Sequence, residues 1–583
     1  MAAEKEKPGG AGTQPGSGGL VALDVHDQGN YSTVAAELQA HAAAAIRSLL
    51  KGDPPNGTDP ADLGPWAESW STMANAPDLA GRRKVFDTLA RADPSLARLV
   101  AGDPSPQVKP HAVTPETILS ALGRGETGDA ELLEALFHGL IVYDHATGGW
   151  YLWAGHYWQP DRTGTVYRLV SNQVAAKYLA VASSERAVSN DDLASKLTDR
   201  AGALRNRKRV ENVLFLAARQ PKLAMTGDEW DRDPWLLAVK NGVLDLRTGQ
   251  LQAGRPDDFL RSVAPVTWEG LSAPAPRWAK FQEEVCGEDA ELVGFKQRLL
   301  GYGLTGLTRE HVLPIYWGEG RNGKGTELET IGDILGADLA ISSQADALMD
   351  VRPGAGDGPQ PFVFALRGKR LVWASESNEG RRINAGLVKQ LTGGDRLHVR
   401  TLHSKPVEFK PSHLLLLLTN HRPHISADDQ AIWDRVLLIP FTRRFVDKPG
   451  AREYQRDPAI RETLTAEAAG ILAWLVRGCL AWQREGLNAP ESVRAATASY
   501  REEEDEVGQF IAERCVIGAR NEVRAGEIFA EYDTWAKSYN LKAMTQTAFG
   551  KRLKKRFPSN PESGYVTYKG IGLLAGKAQE GTS

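Results

Sequence analysis

The chain has 583 residues, 42% of them hydrophobic and 25% charged, and a formal net charge of −3 at pH 7. That composition is ordinary for folded globular domains, and the length accommodates about three to four of them. The near-neutral balance excludes any argument for nucleic-acid binding from the total, so such a surface has to come from local basic clusters. The three cysteines, Cys286, Cys479 and Cys515, stand far apart. Neither a disulfide framework nor zinc-ligand spacing is present, and a reducing, cytoplasmic compartment is expected.

In chain order, residues 1–19 are rich in Gly, Pro and Lys with no apolar core. This is the pattern of a disordered tail rather than of a signal peptide or membrane anchor. Residues 20–110 are predicted to be helical, from Ala35-Ala36-Glu37-Leu38 and Ala42-Ala43-Ala44-Ala45-Ile46, with no role assigned. The prolines between Gly102 and Thr114 mark a linker. The region 115–270 contains an aromatic-rich run from Trp150 to Trp158 that predicts a β-hairpin. It ends on Val239-Lys240-Asn241-Gly242-Val243-Leu244, where Asn-Gly before an apolar run signals a turn. Ala273-Pro274-Ala275-Pro276 is a short linker into a domain placed at 275–488. Residues 414–418, all leucine, fall far short of the ~20 apolar residues of a bilayer span and predict a buried central strand. No membrane partner is expected. The last region, 506–574, reads as helices over 507–514, 525–539 and 545–556, then two short strands within 564–573. That order is the one of a winged helix.

The most informative stretch is Gly318-Glu319-Gly320-Arg321-Asn322-Gly323-Lys324-Gly325-Thr326. It follows an apolar run, 312–317, that reads as a buried strand, and precedes 328–335, which has helical spacing. Strand, Gly-rich turn, Lys and helix together make a phosphate-binding loop. The glycines let backbone N–H groups turn toward phosphate oxygens, and the helix N-terminus adds partial positive charge. Lys324 is expected to reach the β- and γ-phosphates. Where such loops carry the Ser or Thr that binds Mg²⁺ stands Gly325, and the hydroxyl arrives one residue later at Thr326.

A phosphate loop alone does not separate a kinase from a GTPase or a helicase, so the downstream residues decide. Arg370-Leu371-Val372-Trp373-Ala374-Ser375-Glu376 is a short apolar strand ending in a carboxylate. Glu376 there can order Mg²⁺ or polarise the attacking water, with Glu379 as a second acid. Asn420 follows the leucine strand and either bonds the γ-phosphate and the water or merely starts the turn into His421-Arg422-Pro423. Arg435 precedes another apolar strand and is either an arginine finger for a neighbouring subunit or a surface ion pair with Asp434 or Glu379. Arg443 and Arg444 are weaker candidates for the finger. Between Gly393-Gly394-Asp395 and Pro406, basic and apolar residues alternate as in a hairpin. Arg396, Arg400, His403 and Lys405 either contact nucleic-acid phosphates or form a solvated polar face. Near the C-terminus, Lys551, Lys554 and Lys555 share one face of the third helix, a candidate DNA contact.

Taken together, the loop, the strand ending in Ser375-Glu376, Gly393-Gly394-Asp395 with its hairpin, the strand ending in Thr419-Asn420 and Trp433-x-Arg435 resemble superfamily 3 helicases. The branch they are most similar to is the phage and plasmid primase–helicase family, related to the poxvirus primase-helicase. The similarity runs over roughly residues 118–574 and includes Asn241-Gly242-Val243-Leu244-Asp245-Leu246 and Gly301-Tyr302-Gly303-Leu304-Thr305-Gly306. The resemblance implies an α/β fold: a P-loop AAA+-like helicase core with a parallel sheet, preceded by an α+β accessory domain and followed by a C-terminal winged helix. It implies a ring, usually a homo-hexamer, with ATP and Mg²⁺ between subunits. Lys324 and Glu376 would act in cis, Asn420 as sensor and Arg435 in trans, with Thr326 and Glu376 nearest the Mg²⁺. The basic hairpin would line the channel and move single-stranded DNA, typically 3′ to 5′, with single-stranded or forked DNA as partner and origin DNA for the winged helix. The implied function is an ATP-dependent helicase for replication of a phage, prophage or plasmid in a bacterial cytoplasm. The alternative is a nucleotide-gated origin-binding initiator or loader with little unwinding activity. A small-molecule P-loop kinase leaves the Asn strand, the hairpin and the C-terminal domain unexplained. Two features depart from the family pattern. Gly325 leaves the Mg²⁺ ligand to Thr326 or water. The chain before residue 110 is also too short for a polymerase-type domain, and Asp24 and Asp27 lie three apart, off one strand face, so no primase activity is expected.

Overall fold

The structure is a computed structural model. It describes residues 67–92 with a few upstream neighbours, and then 108–350, 361–375, 380–399, 407–450, 453–539, 541, 543–562 and 565–574. The chain divides into two compact units, 1–107 and 108–583. In the first, helices Ala67–Ala74 and Leu79–Ala92 agree with the helical reading, and Ile46, Leu49, Leu63, Trp70 and Met73 are buried in its core.

The second unit begins with helix Pro115–Gly123. Pro115 stands in its first turn, where no N–H is needed, and Thr114 caps it by accepting from the Thr117 N–H at 3.4 Å. Two four-stranded sheets follow, each with one parallel pair at its edge. The aromatic hairpin forms as read from sequence, with Gly149–Trp153 antiparallel to Trp158–Pro160. So does the turn at Lys240-Asn241, between Leu236–Val239 and Gly242–Asp245. Among the helices packed here, Asp129 is fully buried. Its carboxylate accepts from Arg200 at 3.0 Å, Arg209 at 2.6 Å and the Tyr178 hydroxyl at 2.8 Å. Without these donors a buried carboxylate would be strongly destabilising.

Downstream lies a five-stranded, all-parallel sheet: β1 Leu313–Trp317, β2 Ala340–Gln344, β3 Leu371–Ser375, β4 Leu414–Thr419 and β5 Val436–Pro440. Its order is β2-β3-β4-β1-β5. Helix α1, Lys324–Leu339, leaves β1. Both faces of the sheet are covered, and for that reason β1, β3, β4 and β5 read as near-continuous apolar runs, whereas the edge strand β2, Ala340–Gln344, alternates. On one side α1, helices Pro276–Cys286, Ala290–Tyr302 and Ala468–Glu485 share a core with β3 and β4. Helices Ala385–Thr392 and Gln430–Trp433 close the other side. Residues 414–418 are buried throughout, and each such leucine contributes about 2 kcal/mol of transfer free energy. The guanidinium of Arg370, just before β3, is buried and donates to the carbonyls of Pro234, Leu236 and Leu304. It ties the upstream sheet to the parallel one without a carboxylate.

The C-terminal segment departs from the sequence reading in one element. Helices Glu506–Arg514, Ala525–Ser538 and Gln546–Arg556 lie within a residue of expectation. A strand not anticipated, Cys515–Arg524, runs between the first two. Its alternation is broken by Gly518 to Asn521, and the pairing register shifts there, between Ile517 and Glu522. The hairpin is also longer than read, Ser559–Glu562 with Tyr565–Leu573. Pro561 masked its first strand and is tolerated because that strand is at the sheet edge. Among the described residues no single helix is long and apolar enough to cross a membrane.

Candidate nucleotide site

The loop between β1 and α1 has the shape its glycines allow. A Cβ on Gly318 would lie 2.2 Å from the Phe441 carbonyl oxygen. Gly323 has φ +87°, and a Cβ there would lie 2.6 Å from Val285 Cγ1. Neither position admits a side chain. Asn322 is buried, and its amide donates to the carbonyls of Glu319 at 2.5 Å and Phe441 at 3.3 Å. The Phe445 N–H donates to the Arg321 carbonyl at 2.8 Å. The loop is thus pinned to the segment that follows β5.

Lys324 opens α1. Its Nζ donates to the Gly318 carbonyl and, at 3.1 Å, to Asn420 Oδ1. The two side chains are 96 residues apart in sequence. They meet because β4, which ends in Thr419, pairs directly with β1. Loop residues, Thr326, Glu329, Ser375, Asn420 and His421 line a cavity of 630 Å³. Among the described residues no carboxylate pairs with Lys324, and burial pulls its ammonium pKa down to about 8. An anion bound beside it would raise that value again. Near pH 8.5, nucleotide binding is therefore expected to take up a proton, and affinity to fall as pH rises above about 8. Calorimetry in two buffers of different ionisation heat checks this; identical heats in both would contradict it.

The remaining sequence candidates are placed as follows. Ser375, at the end of β3, lines the cavity, whereas Glu376 and Glu379 lie outside the described residues. Thr326 lines the cavity, one residue after Gly325. Thr326 and Ser375 hydroxyls and the Glu329 carboxylate are oxygen donors of the kind that suits Mg²⁺. Arg435 stands at the start of β5, the end of the sheet away from the loop, and donates to the Ala431 carbonyl. Five residues of strand, roughly 16 Å, separate it from the level of the loop. Neither Asp434 nor any other described carboxylate pairs with it. Arg396 flanks a two-stranded hairpin, Leu397–Val399 with Val407–Phe409, and pairs with Glu408 at 3.4 Å. Arg400, His403 and Lys405 lie outside the described residues. Lys551, Lys554 and Lys555 are exposed, whereas their neighbours Arg552 and Arg556 pair with Asp428 at 3.0 Å and Asp505 at 2.6 Å.

Sequence reasoning missed three residues at the cavity and one pair beneath it. Glu329 follows Thr326 by one helical turn, a spacing that does bring it to the same face. Ser375 and His421 adjoin motif residues. The pair beneath is Lys296 and Glu327, 2.9 Å apart and both fully buried, with Gln282 donating to Glu327 at 3.3 Å. Burial works against the Lys296 charge, but Glu327 and Cys286 more than offset it and its pKa lies above the ordinary value. Nothing local in either sequence context signals this contact.

Residues 130–287 match the family described as D5 N terminal like, and residues 502–569 match the one described as Poxvirus D5 protein-like. Two stretches of the chain are therefore similar to D5-type domains, one on each side of the segment that holds the glycine-rich loop. Over 421 residues it is 24% identical to "Putative helicase L207/L206" of Acanthamoeba polyphaga mimivirus, an alignment covering 67% of this chain and 43% of that protein. Over 386 residues it is 25% identical to "Putative helicase 022R" of Frog virus 3, covering 54% and 40%. It is 21% identical over 324 residues to "Putative primase C962R" of African swine fever virus, covering 52% and 33%. The chain thus spans less than half the length of these relatives, which belong to viruses of eukaryotes rather than to phages or plasmids. Among solved structures, the apo C-terminal region of NrS-1 (305–718) aligns at 11% identity and a TM-score of 0.39, covering 77% of this chain and all of that one. So loose a likeness carries no functional argument.

Proposed function

We propose that this chain is an ATP-dependent DNA helicase, a ring-forming translocase on single-stranded DNA that serves replication of a mobile or viral genome. One observation carries the reading. Lys324 and Asn420, from separate strands, converge at 3.1 Å in a cavity under a glycine-rich loop at a strand–helix junction. That is a lysine for the β- and γ-phosphates beside an amide able to orient water. ATP would supply the phosphoryl bond to be broken, and Thr326 and Glu376 would hold a Mg²⁺ that offsets the charge of its phosphates. Lys324 stabilises the negative charge that grows at the γ-phosphate, while Asn420 holds its amide toward it. Arg435, at the far end of β5 from its own subunit's loop, is suited to a neighbour's site. This supports its role as a finger in trans in a homo-hexamer. The strand order, with the Asn strand between the loop strand and the acidic strand, supports an AAA+-like core at 275–488. The hairpin at 397–409 is the element proposed to contact DNA in the channel, and 506–574 is proposed to be a winged helix. The setting is a phage, prophage or plasmid on the motif resemblance, and a eukaryotic virus on the named relatives.

The test is ATPase activity with and without single-stranded DNA, together with unwinding of forked substrates of both polarities. Turnover that ignores DNA, in a protein that stays monomeric with nucleotide, overturns the proposal. Arg435→Ala is expected to bind nucleotide yet lose turnover. Mixing Arg435→Ala with Lys324→Ala subunits should restore part of the rate, because some interfaces then pair an intact lysine with an intact arginine. No recovery on mixing removes the trans assignment. The exposed Lys551, Lys554 and Lys555, which pair with no carboxylate among the described residues, favour a second reading, an origin-binding initiator or loader. Weak ATPase independent of DNA, with tight sequence-specific binding, would select it.

A further inference from the structure

A second, larger concavity lies at the opposite end of the parallel sheet from the nucleotide cavity. Its walls come from 227–234, Arg261, 306–311, 367–370, 394–396 and 408–412, the segments that enter β1, β3 and β4 together with the upstream region. It encloses 880 Å³ and is lined by seven arginine and lysine side chains against three carboxylates. Two of the cations are neutralised locally. Arg261 lies 3.8 Å from both Asp144 and Asp231, and Arg396 lies 3.4 Å from Glu408. Four others, Arg232, Arg309, Arg367 and Lys410, pair with no carboxylate among the described residues. Three of the four have uncharged partners, the Arg232 Nε donating to the Asp228 backbone carbonyl at 2.8 Å. The Arg309 guanidinium stacks 4.2 Å over the Trp482 ring, and Arg367 donates to the Gly227 carbonyl at 3.2 Å. Arg232 and Lys410 are exposed at the rim.

Unneutralised cations gathered in one concave, low-dielectric surface repel one another and raise the local potential. An anion that runs along the cleft relieves that repulsion at several points at once. We infer that this cleft binds the phosphodiester backbone of single-stranded DNA, at a place separate from the channel hairpin tip and from the C-terminal lysines. The inference deepens the reading of the chain as a DNA-binding motor, but it stands on the cleft's own charge and does not need turnover at Lys324. Arg396 and Glu408, at the described base of the hairpin, also line the cleft. Arginine and lysine on phosphates give affinity without sequence preference, the mode suited to a translocated strand.

The experiment uses the full chain, without nucleotide, and a fluorescent oligo-dT whose anisotropy is followed from low to high salt. Each phosphate contact on a single strand contributes a slope of about −0.7 in log K against log[salt], so Arg232→Gln/Lys410→Gln is expected to flatten the slope by about 1.4. At ~0.1 M salt its affinity should fall roughly tenfold or more, with an unchanged melting midpoint because both side chains are exposed. The same change is expected in a Lys324→Ala background, which separates this site from the nucleotide reading. An unchanged slope overturns the proposal. So does displacement of oligo-dT from the wild type by polyglutamate as effectively as by unlabelled oligo-dT, which would make the cleft an acidic-peptide site. As a second measurement on the unaltered protein, photo-crosslinks from 4-thiothymidine oligomers are expected in the peptides containing Arg232 or Lys410. Crosslinks confined to other segments overturn the assignment.

Discussion

Lys324→Ala is expected to lower ATP turnover by roughly 10²–10³-fold or more, since on the proposed reading it removes a preorganised charge that faces the phosphates. The structure adds a second, less obvious result. Lys324 is buried without a described carboxylate, and its pKa is pulled down to about 8 by burial. A group whose folded pKa lies below its unfolded value opposes folding when protonated, and the penalty fades as pH rises from about 8 past the ordinary lysine range. At pH 7 the alanine variant without nucleotide is therefore expected to melt at the same temperature as the wild type or higher. Its midpoint should also respond far less to added ATP, because the stabilisation that ligand binding confers scales with affinity. Steady-state ATPase and thermal melts with and without ATP measure both. A variant that hydrolyses ATP at the wild-type rate would remove Lys324 from the reaction; one that melts much lower would contradict the account of its burial.

Removing one member of the Lys296–Glu327 pair is expected to have the largest effect on stability. Both side chains are fully buried, 2.9 Å apart, at the first turn of α1. Glu327→Gln leaves a buried ammonium whose other polar neighbour is the Cys286 thiol at 3.6 Å. Breaking such a pair costs about 3–5 kcal/mol, whereas replacing both members by apolar residues of similar volume is close to neutral. Glu327→Gln should therefore shift the denaturant midpoint strongly, and Lys296→Met/Glu327→Leu should recover most of the loss. Failure of the double variant to recover would mean that the pair also fixes the phosphate loop, through Lys296 stacked 4.7 Å over the Phe441 ring. Phe441 is the residue whose carbonyl holds Asn322.

The two regions differ in how far they could be read from sequence. Hairpins and helices with strong local signals, such as Trp150 to Trp158 and the basic C-terminal helix, lie where their patterns put them. The strand Cys515–Arg524 was illegible because its central residues neither alternate nor bury. At the site, Ser375 and His421 became visible only once β3 and β4 were ordered in the sheet.

The shape of the glycine-rich loop was determined by the sequence itself. Its glycines, lysine and flanking strand and helix are adjacent in the chain, and local backbone geometry follows from local residue types. The D5-type domains are likewise carried by contiguous stretches, 130–287 and 502–569. Only the tertiary structure decided which distant groups meet. The insertion of β4 beside β1 set Asn420 against Lys324, and the packing of two helices closed Lys296 onto Glu327. Segments at the sheet's far end gathered into one cleft four cations that pair with no carboxylate among the described residues. Each of these depends on strand order and helix docking, which minimise exposed apolar surface over the whole molecule and leave no trace in the spacing of neighbouring residues.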